Sequence, residues 1–247
     1  MFRKLLAGIA LGALATLVAV PVSAQTVDDI IAKNVKARGG LEKIKAVKTT
    51  RTVGTMTLGP GMEVPFTMEL KRPNSMRMEV VVQGMTIIQA YDGKVGWQLN
   101  PMQGRKDPEP LPEDALKQID LQADSIDGPL IDYKAKGSTV ELMGKEKVEG
   151  SDAYKLKITL KSGDILYDYI DADQFLEVKM DAKMKIRGTD LESESSIGDY
   201  KDVDGLMIAF AMESWQKGSQ QRQKMTFKKV EMNVPIEDAR FKMPAAK

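Results

Sequence analysis

Hydrophobic and polar residues alternate along most of this chain. The alternation is clearest in 152–187, where Tyr154, Leu156 and Ile158 are separated by lysine and threonine residues. A period of two places successive side chains on opposite faces of a β-strand. The pattern therefore predicts strands with one apolar face and one charged face that meets water.

The same alternation predicts about twelve strands, with turns marked by Gly, Pro, Asn and Asp residues such as Asp204-Gly205. Pro65 indicates an edge position or a bulge in its strand. A change of phase in the last strand predicts a bulge near Lys228-Lys229. The predicted strands are 48–58, 62–72, 75–83, 85–91, 94–100, 138–147, 152–161, 164–171, 175–187, 190–203, 205–217 and 220–233.

The first residues after the N-terminal apolar run have the helical period instead. Thr26 and Asp29 form a capping pair, Val27, Ile30, Ile31 and Val35 form an apolar stripe, and Gly39-Gly40 ends the helix. A second, shorter helix is predicted at 41–47.

A third helix is predicted at 112–126, after a proline-rich segment at 100–112. Leu116 and Ile119 lie on its apolar side. Such a segment and helix form either a hinged cover or a plain crossover between two halves of the sheet.

The N-terminus has the pattern of a cleaved export signal. Arg3 and Lys4 precede an apolar run of 16 residues, and Val22-Ser23-Ala24 is a small-residue cleavage pattern. A retained membrane anchor is the alternative, but it needs about 20 apolar residues. We therefore expect a signal peptide over 1–24, cleavage after Ala24 and a soluble periplasmic product.

The composition excludes several classes of function. The 247 residues include no cysteine and no histidine, so the usual zinc, copper and haem ligand sets and the Ser-His and Cys-His nucleophile pairs cannot form. Without the signal, 34 basic and 35 acidic residues give a net charge of −1, which favours no nucleic-acid partner. We expect a single domain over 25–247 that is not an enzyme and carries no cofactor or metal.

Twelve strands with one apolar face need more cover than three helices supply, so the sheet must curl. It can curl tightly around a packed core or widely around a cavity. The 15 methionines after the signal suit a surface that adapts to varied apolar ligands, although Met also fills ordinary cores. We expect a cavity lined by inward apolar residues: Phe66, Met68, Leu70, Met78, Val80, Trp97, Leu116, Ile119, Leu156, Ile158, Met180, Met184, Ile208, Phe210 and Met212.

Several segments resemble outer-membrane lipoprotein-sorting proteins related to LolA and LolB, and the resemblance covers the whole chain after the signal. The segments are GGLEKIKAVKTTRTVG, AYDGKVGWQLNP, GPLIDYKAKG, KVEGSDAYKLKITLKSGD and ARFKMP. They are turn and strand patterns rather than catalytic signatures. The family's lid-closing arginine has no matching motif position here.

The resemblance implies a mainly β, α+β fold: a strongly curved antiparallel sheet forming an incomplete β-barrel, covered by N-terminal and central helices. It also implies a monomeric carrier that shelters the acyl chains of lipoproteins or other lipids, with an inner-membrane transporter and an outer-membrane acceptor as partners. The alternatives are a periplasmic sensor or regulatory domain of the same fold and a cofactor-free enzyme. The enzyme would need Tyr, Arg and carboxylate groups converging inside the cavity.

Overall fold

The structure is a computed structural model that describes residues 25–59, 61–104, 107–186 and 188–245. The predicted signal peptide over 1–24 lies outside the described residues. Within them, the helices are α1 (Val27–Ala37), α2 (Leu41–Ala46) and α3 (Glu113–Ala123). The strands are β1 (Thr49–Thr57), β2 (Glu63–Lys71), β3 (Ser75–Val82), β4 (Met85–Tyr91), β5 (Gly96–Leu99), β6 (Glu109–Pro110), β7 (Thr139–Val148), β8 (Ser151–Thr159), β9 (Ile165–Asp171), β10 (Glu177–Ile186), β11 (Thr189–Val203), β12 (Leu206–Gln216) and β13 (Arg222–Met232).

All thirteen of these strands form one antiparallel sheet in the order β6-β5-β4-β3-β2-β1-β13-β12-β11-β10-β9-β8-β7. The outer strands β6 and β7 do not pair with each other, so the sheet is curved but open. This confirms the predicted incomplete β-barrel. The strand that the alternation did not predict is β6, a two-residue pairing of Glu109 and Pro110 with β5 inside the proline-rich segment.

Two irregularities were predicted near the centre of the sheet. Val53 of β1 faces Lys229 whereas Gly54 faces Phe227, which confirms the bulge near Lys228-Lys229. The edge position or bulge predicted from Pro65 is wrong, because β2 is an interior strand that pairs with β1 and β3 without a register shift. Pro65 is tolerated because the pairing of β2 with β3 begins one residue later, so the missing N–H falls outside that ladder.

The helix α1 begins and ends as its sequence predicts. Thr26 and Asp29 form a reciprocal capping box at the start of α1. The third helix is shorter than predicted: Pro112 is its N-cap, and the helix ends at Ala123. Every helix in the described ranges is too short or too polar to traverse a bilayer.

The helices cover the two flanks of one face of the sheet, which we call the concave face. On one flank, α1 packs on β8 and β9 in a buried cluster that contains Ile30, Leu130, Tyr154, Leu156, Ile158, Leu166 and Ile170. On the other flank, α3 packs on β2, β3 and β4 in a cluster that contains Leu70, Met76, Tyr91, Leu111, Ile119 and Ala123. At one end, α2 packs with Ile131 and Leu206. The middle of the concave face is left without a covering helix.

The C-terminal segment covers part of the opposite, convex face. Phe241 is fully buried there, and Arg240 forms ion pairs with Glu69 and Glu79 at 2.6 and 3.1 Å. Glu69 is buried but also accepts a hydrogen bond from Arg51 at 2.9 Å. Arg51 and Arg240 thus compensate the charge of the buried Glu69 carboxylate.

Candidate functional site: a cavity on the concave face

An open cavity of about 750 Å³ occupies the middle of the concave face. Its floor is formed by the central strands, and its sides are formed by the ends of α1, α2 and α3. A volume of this size is within the range of small-molecule and lipid sites, about 300–1,000 Å³. Its apolar lining consists of Ile44, Val47, Met56, Met68, Leu70, Met78, Val80, Ile87, Ile88, Ile126, Ile197, Leu206, Met207, Ile208, Ala209, Met212, Met225, Phe227, Val230 and Met232.

The register of the strands explains how the floor is built. Thr52 faces Met68, Met68 faces Met78, and Met78 faces Gln89 across four consecutive strands. Directly opposed residues of neighbouring strands lie on the same face of a sheet. The period of two in each strand therefore becomes a continuous row of side chains along the cavity floor.

Six of the fifteen predicted site residues line this cavity: Met68, Leu70, Met78, Val80, Ile208 and Met212. The structure brings them together from β2, β3 and β12, which are distant in sequence. The other nine lie elsewhere, for three different reasons.

Five of those nine are packed between a helix and the sheet rather than in open space. Leu156, Ile158 and Met180 belong to the cluster under α1, whereas Leu116 and Ile119 belong to the cluster that joins α3 to the sheet. They lie on the predicted apolar faces. The packing of α1 and α3 on the sheet fills the space there, so these five residues lie outside the cavity.

Three more lie outside the cavity among other side chains. Phe66 and Phe210 pack around Phe227, with ring centroids 5.9 and 6.3 Å apart, and Phe227 rather than either of them lines the cavity. Met184 lies in a separate groove beside α3 that also contains Asp124.

Trp97 faces the convex side, which corrects its assignment to the cavity. It lies opposite Ala90, whereas the next residue, Gln98, lies opposite Gln89 and lines the cavity. Adjacent residues of a strand point to opposite faces. The indole Nε1 of Trp97 donates to the backbone oxygen of Phe241 at 2.8 Å.

One end of the cavity is polar, which the sequence analysis did not predict. The polar end consists of Arg38, Glu177 and Tyr200, which all line the cavity. Arg38 Nη1 lies 3.9 Å from the Glu177 carboxylate, and Tyr200 donates its hydroxyl hydrogen to the backbone oxygen of Glu177 at 2.9 Å. Burial and the nearby Glu177 carboxylate raise the pKa of Tyr200, so its hydroxyl stays protonated.

A second polar cluster, the Asp127 junction, consists of Lys45, Arg72 and Asp127. Arg72 donates to both carboxylate oxygens of Asp127 at 2.9 and 2.6 Å, and Lys45 donates at 2.8 Å. Although burial opposes it, these hydrogen bonds hold the pKa of Asp127 well below its usual range. The junction joins α2 and the β2–β3 turn to the segment that follows α3.

Arg38 and Arg72 both bind backbone carbonyls beside the cavity. Arg38 donates to Ile126 and Asp127 at 3.1 and 3.0 Å, and Arg72 donates to the backbone oxygens of α2 and the following turn at 3.0 and 2.7 Å. The only sequence signal for Arg38 was its place before Gly39-Gly40, which equally fits an ordinary cation at a helix end.

The described residues provide no arrangement typical of metal chemistry. No group of three or more acidic side chains among them could hold a metal ion. Within this part of the chain, the charged groups that reach the cavity are Arg38 and Glu177. The site is an apolar cavity with one polar end.

The chain matches no model of a known protein family and no curated protein sequence. Its architecture is similar to that of solved structures. A LolA superfamily protein from Nitrosomonas europaea is 13% identical, with a TM-score of 0.60 over 89% of this chain and 98% of the other. A DUF1329 family protein from Desulfovibrio piger is 14% identical, with a TM-score of 0.60 over 87% and 97%.

A putative outer membrane lipoprotein-sorting protein domain from Vibrio parahaemolyticus is 13% identical, with a TM-score of 0.56 over 85% of this chain and 94% of the other. At these identities the similarity establishes the fold. The fold of this chain is LolA-like, as the sequence resemblance predicts.

Proposed function

We propose that this LolA-like fold is an exported, non-catalytic carrier that shelters the acyl chain of a lipid or lipoprotein in its concave cavity. The single observation that carries the proposal is an apolar cavity of about 750 Å³ that the protein's own side chains leave open. A tightly packed interior has few voids larger than a water molecule. An opening of this size on the apolar face of a sheet is therefore suited to a ligand.

The lining supplies the free energy that such a carrier needs. Each methylene group transferred from water to an apolar site contributes about 0.8 kcal/mol, so a fourteen-carbon chain gains on the order of 10 kcal/mol. Flexible methionine side chains let the wall adapt to chains of different shape. Seven of them line the cavity: Met56, Met68, Met78, Met207, Met212, Met225 and Met232.

Export to the periplasm and exchange with membrane partners belong to the same proposal. The N-terminal signal pattern supports export, and the fold similarity to a lipoprotein-sorting domain supports a role between membranes. An inner-membrane donor and an outer-membrane acceptor are the partners that this role requires.

The proposal is tested by lipid extraction and native mass spectrometry of the purified protein, followed by titration with a fluorescent fatty acid. We expect co-purified lipid, and we expect saturable binding by the delipidated protein. Met212→Trp places a large ring in the cavity and should weaken binding at least tenfold. Met143→Trp is the matched control, because Met143 is 54% exposed on the edge strand β7.

Urea unfolding of both variants separates a filled cavity from a misfolded protein. Absence of lipid and of saturable binding would refute the carrier. Equal binding by the two folded variants would place the ligand outside this cavity.

A further inference from the structure

The polar end of the cavity contains a carboxylate with too few partners. The side chain of Glu177 is 19% exposed, and its contact among the described residues is Arg38 at 3.9 Å. That distance is too long for a hydrogen bond. The nearby hydroxyl of Tyr200 donates to the backbone oxygen of Glu177, not to the carboxylate. The carboxylate thus faces the cavity with unused capacity to accept hydrogen bonds.

The guanidinium of Arg38 is already occupied. Its two terminal nitrogens donate to the backbone oxygens of Asp127 and Ile126. Turning the side chain toward Glu177 or toward a ligand would break these contacts and leave two partly buried carbonyls without donors. Arg38 therefore balances the charge of Glu177 at a distance without satisfying its hydrogen bonds.

Two further buried polar side chains lie in the same region. Asp168 is fully buried, and neither of its carboxyl oxygens has a hydrogen-bond partner in the described structure. Burial, together with the charge of nearby Glu177, raises the pKa of Asp168. Asn34 is one helical turn before Arg38, is fully buried, and has an amide oxygen without a donor. Both side chains are fully buried and do not line the cavity, so Glu177 is the carboxylate of this region that a ligand can reach.

We propose that the polar end binds the head group of an amphiphile that donates hydrogen bonds and carries no negative charge. This inference rests on the proposed function, because the acyl chain of the same ligand occupies the apolar part of the cavity. An ammonium or hydroxyl head group supplies the donors that Glu177 lacks. A carboxylate head group supplies none and is repelled by the charge of Glu177.

The test compares three fourteen-carbon amphiphiles as competitors of N-phenyl-1-naphthylamine, a neutral fluorescent reporter, on the delipidated full-length protein. The competitors are tetradecylamine, 1-tetradecanoylglycerol and tetradecanoate, each below its micelle concentration. We expect the amine and the glyceride to bind at least tenfold more tightly than tetradecanoate. This comparison uses the unaltered protein, so it does not depend on the folding of any variant.

Glu177→Gln removes the charge and nearly preserves the shape of the side chain. We expect it to reduce the preference for the amine and the glyceride over tetradecanoate to less than threefold. Glu146→Gln is the matched control, because Glu146 is exposed on β7, and it should retain the full preference. Urea unfolding confirms that both variants are folded.

The outcomes separate the head-group inference from the carrier proposal. Binding of tetradecanoate as tight as that of the other two, or an unchanged preference in folded Glu177→Gln, would overturn the head-group inference and leave the carrier standing. Failure of the reporter and of all three amphiphiles to bind would overturn both.

Discussion

Replacing Asp127 with Asn tests how the helices are held at one end of the cavity. The Asp127 carboxylate is 8% exposed and accepts two hydrogen bonds from Arg72 and one from Lys45. Breaking a buried ion pair by removing one partner costs about 3–5 kcal/mol. Asn keeps one acceptor oxygen, and Arg72 keeps its hydrogen bonds to two backbone carbonyls. We therefore expect the free energy of unfolding to fall by the lower end of this range, about 3 kcal/mol.

Urea denaturation monitored by tryptophan fluorescence and circular dichroism measures this cost. With a denaturant slope of about 2–3 kcal/mol/M, the unfolding midpoint should fall by about 1 M near neutral pH. The matched control is Asp132→Asn. Asp132 binds the same Lys45 at 2.6 Å but is 53% exposed, so its loss should cost less than about 1 kcal/mol.

The effect also has a definite pH dependence. The folded-state pKa of Asp127 is lowered from the ordinary value of 3.8, so its contribution is complete above that value and is lost as the pH falls through the folded-state pKa. The difference in the free energy of unfolding between the unaltered protein and Asp127→Asn should therefore be constant near neutral pH and become smaller in acid. A midpoint shift no larger than that of Asp132→Asn, or a difference that persists unchanged to about pH 2, would refute the reasoning.

Three further changes test other parts of the structure. Asp168→Asn should stabilise the protein increasingly as the pH rises above about 4. The pKa of Asp168 is raised in the folded state, so the carboxyl of the unfolded chain ionises first and the unaltered protein loses stability as the pH rises. A gain in the free energy of unfolding by urea that is independent of pH would contradict this. Gly54→Ala should destabilise the fold by about 2 kcal/mol or more, because the added Cβ would clash with a backbone oxygen of β13. The control is Gly198→Ala, whose Cβ meets no atom within 4 Å and which should leave the thermal midpoint nearly unchanged. Trp97→Phe removes the hydrogen bond to Phe241 and should cost about 1–3 kcal/mol; an unchanged urea midpoint would show that the C-terminal segment is held without it.

The sequence predicts the fold better than it predicts the cavity. Alternation in single strands is enough to locate the long strands and to separate their two faces, and a phase change locates the bulge near Lys228. The two-residue strand β6 has no period of its own. It forms because the proline-rich segment folds back beside Trp97 and Gln98. This pairing depends on tertiary structure and not on the local sequence pattern.

Which apolar residues meet open space depends on where the helices pack. Leu156 and Met212 have the same pattern in sequence, yet Leu156 is covered by α1 and Met212 faces the cavity. Arg38 and Glu177 are ordinary surface residues by pattern. They become a polar end because the end of α1 lies over β10 and β11, more than a hundred positions later in the chain. Local periodicity contains no information about such distant contacts.

The pairing of β1 with β13 has a consequence for biogenesis. Those two strands meet at the centre of the sheet, with Thr50 opposite Met232, so the earliest and the latest strands to leave the ribosome join the two halves. Contacts between residues far apart in sequence form late, because a long loop must close first. A nascent polypeptide therefore has no assembled cavity until translation is nearly finished, which is compatible with the export that we propose.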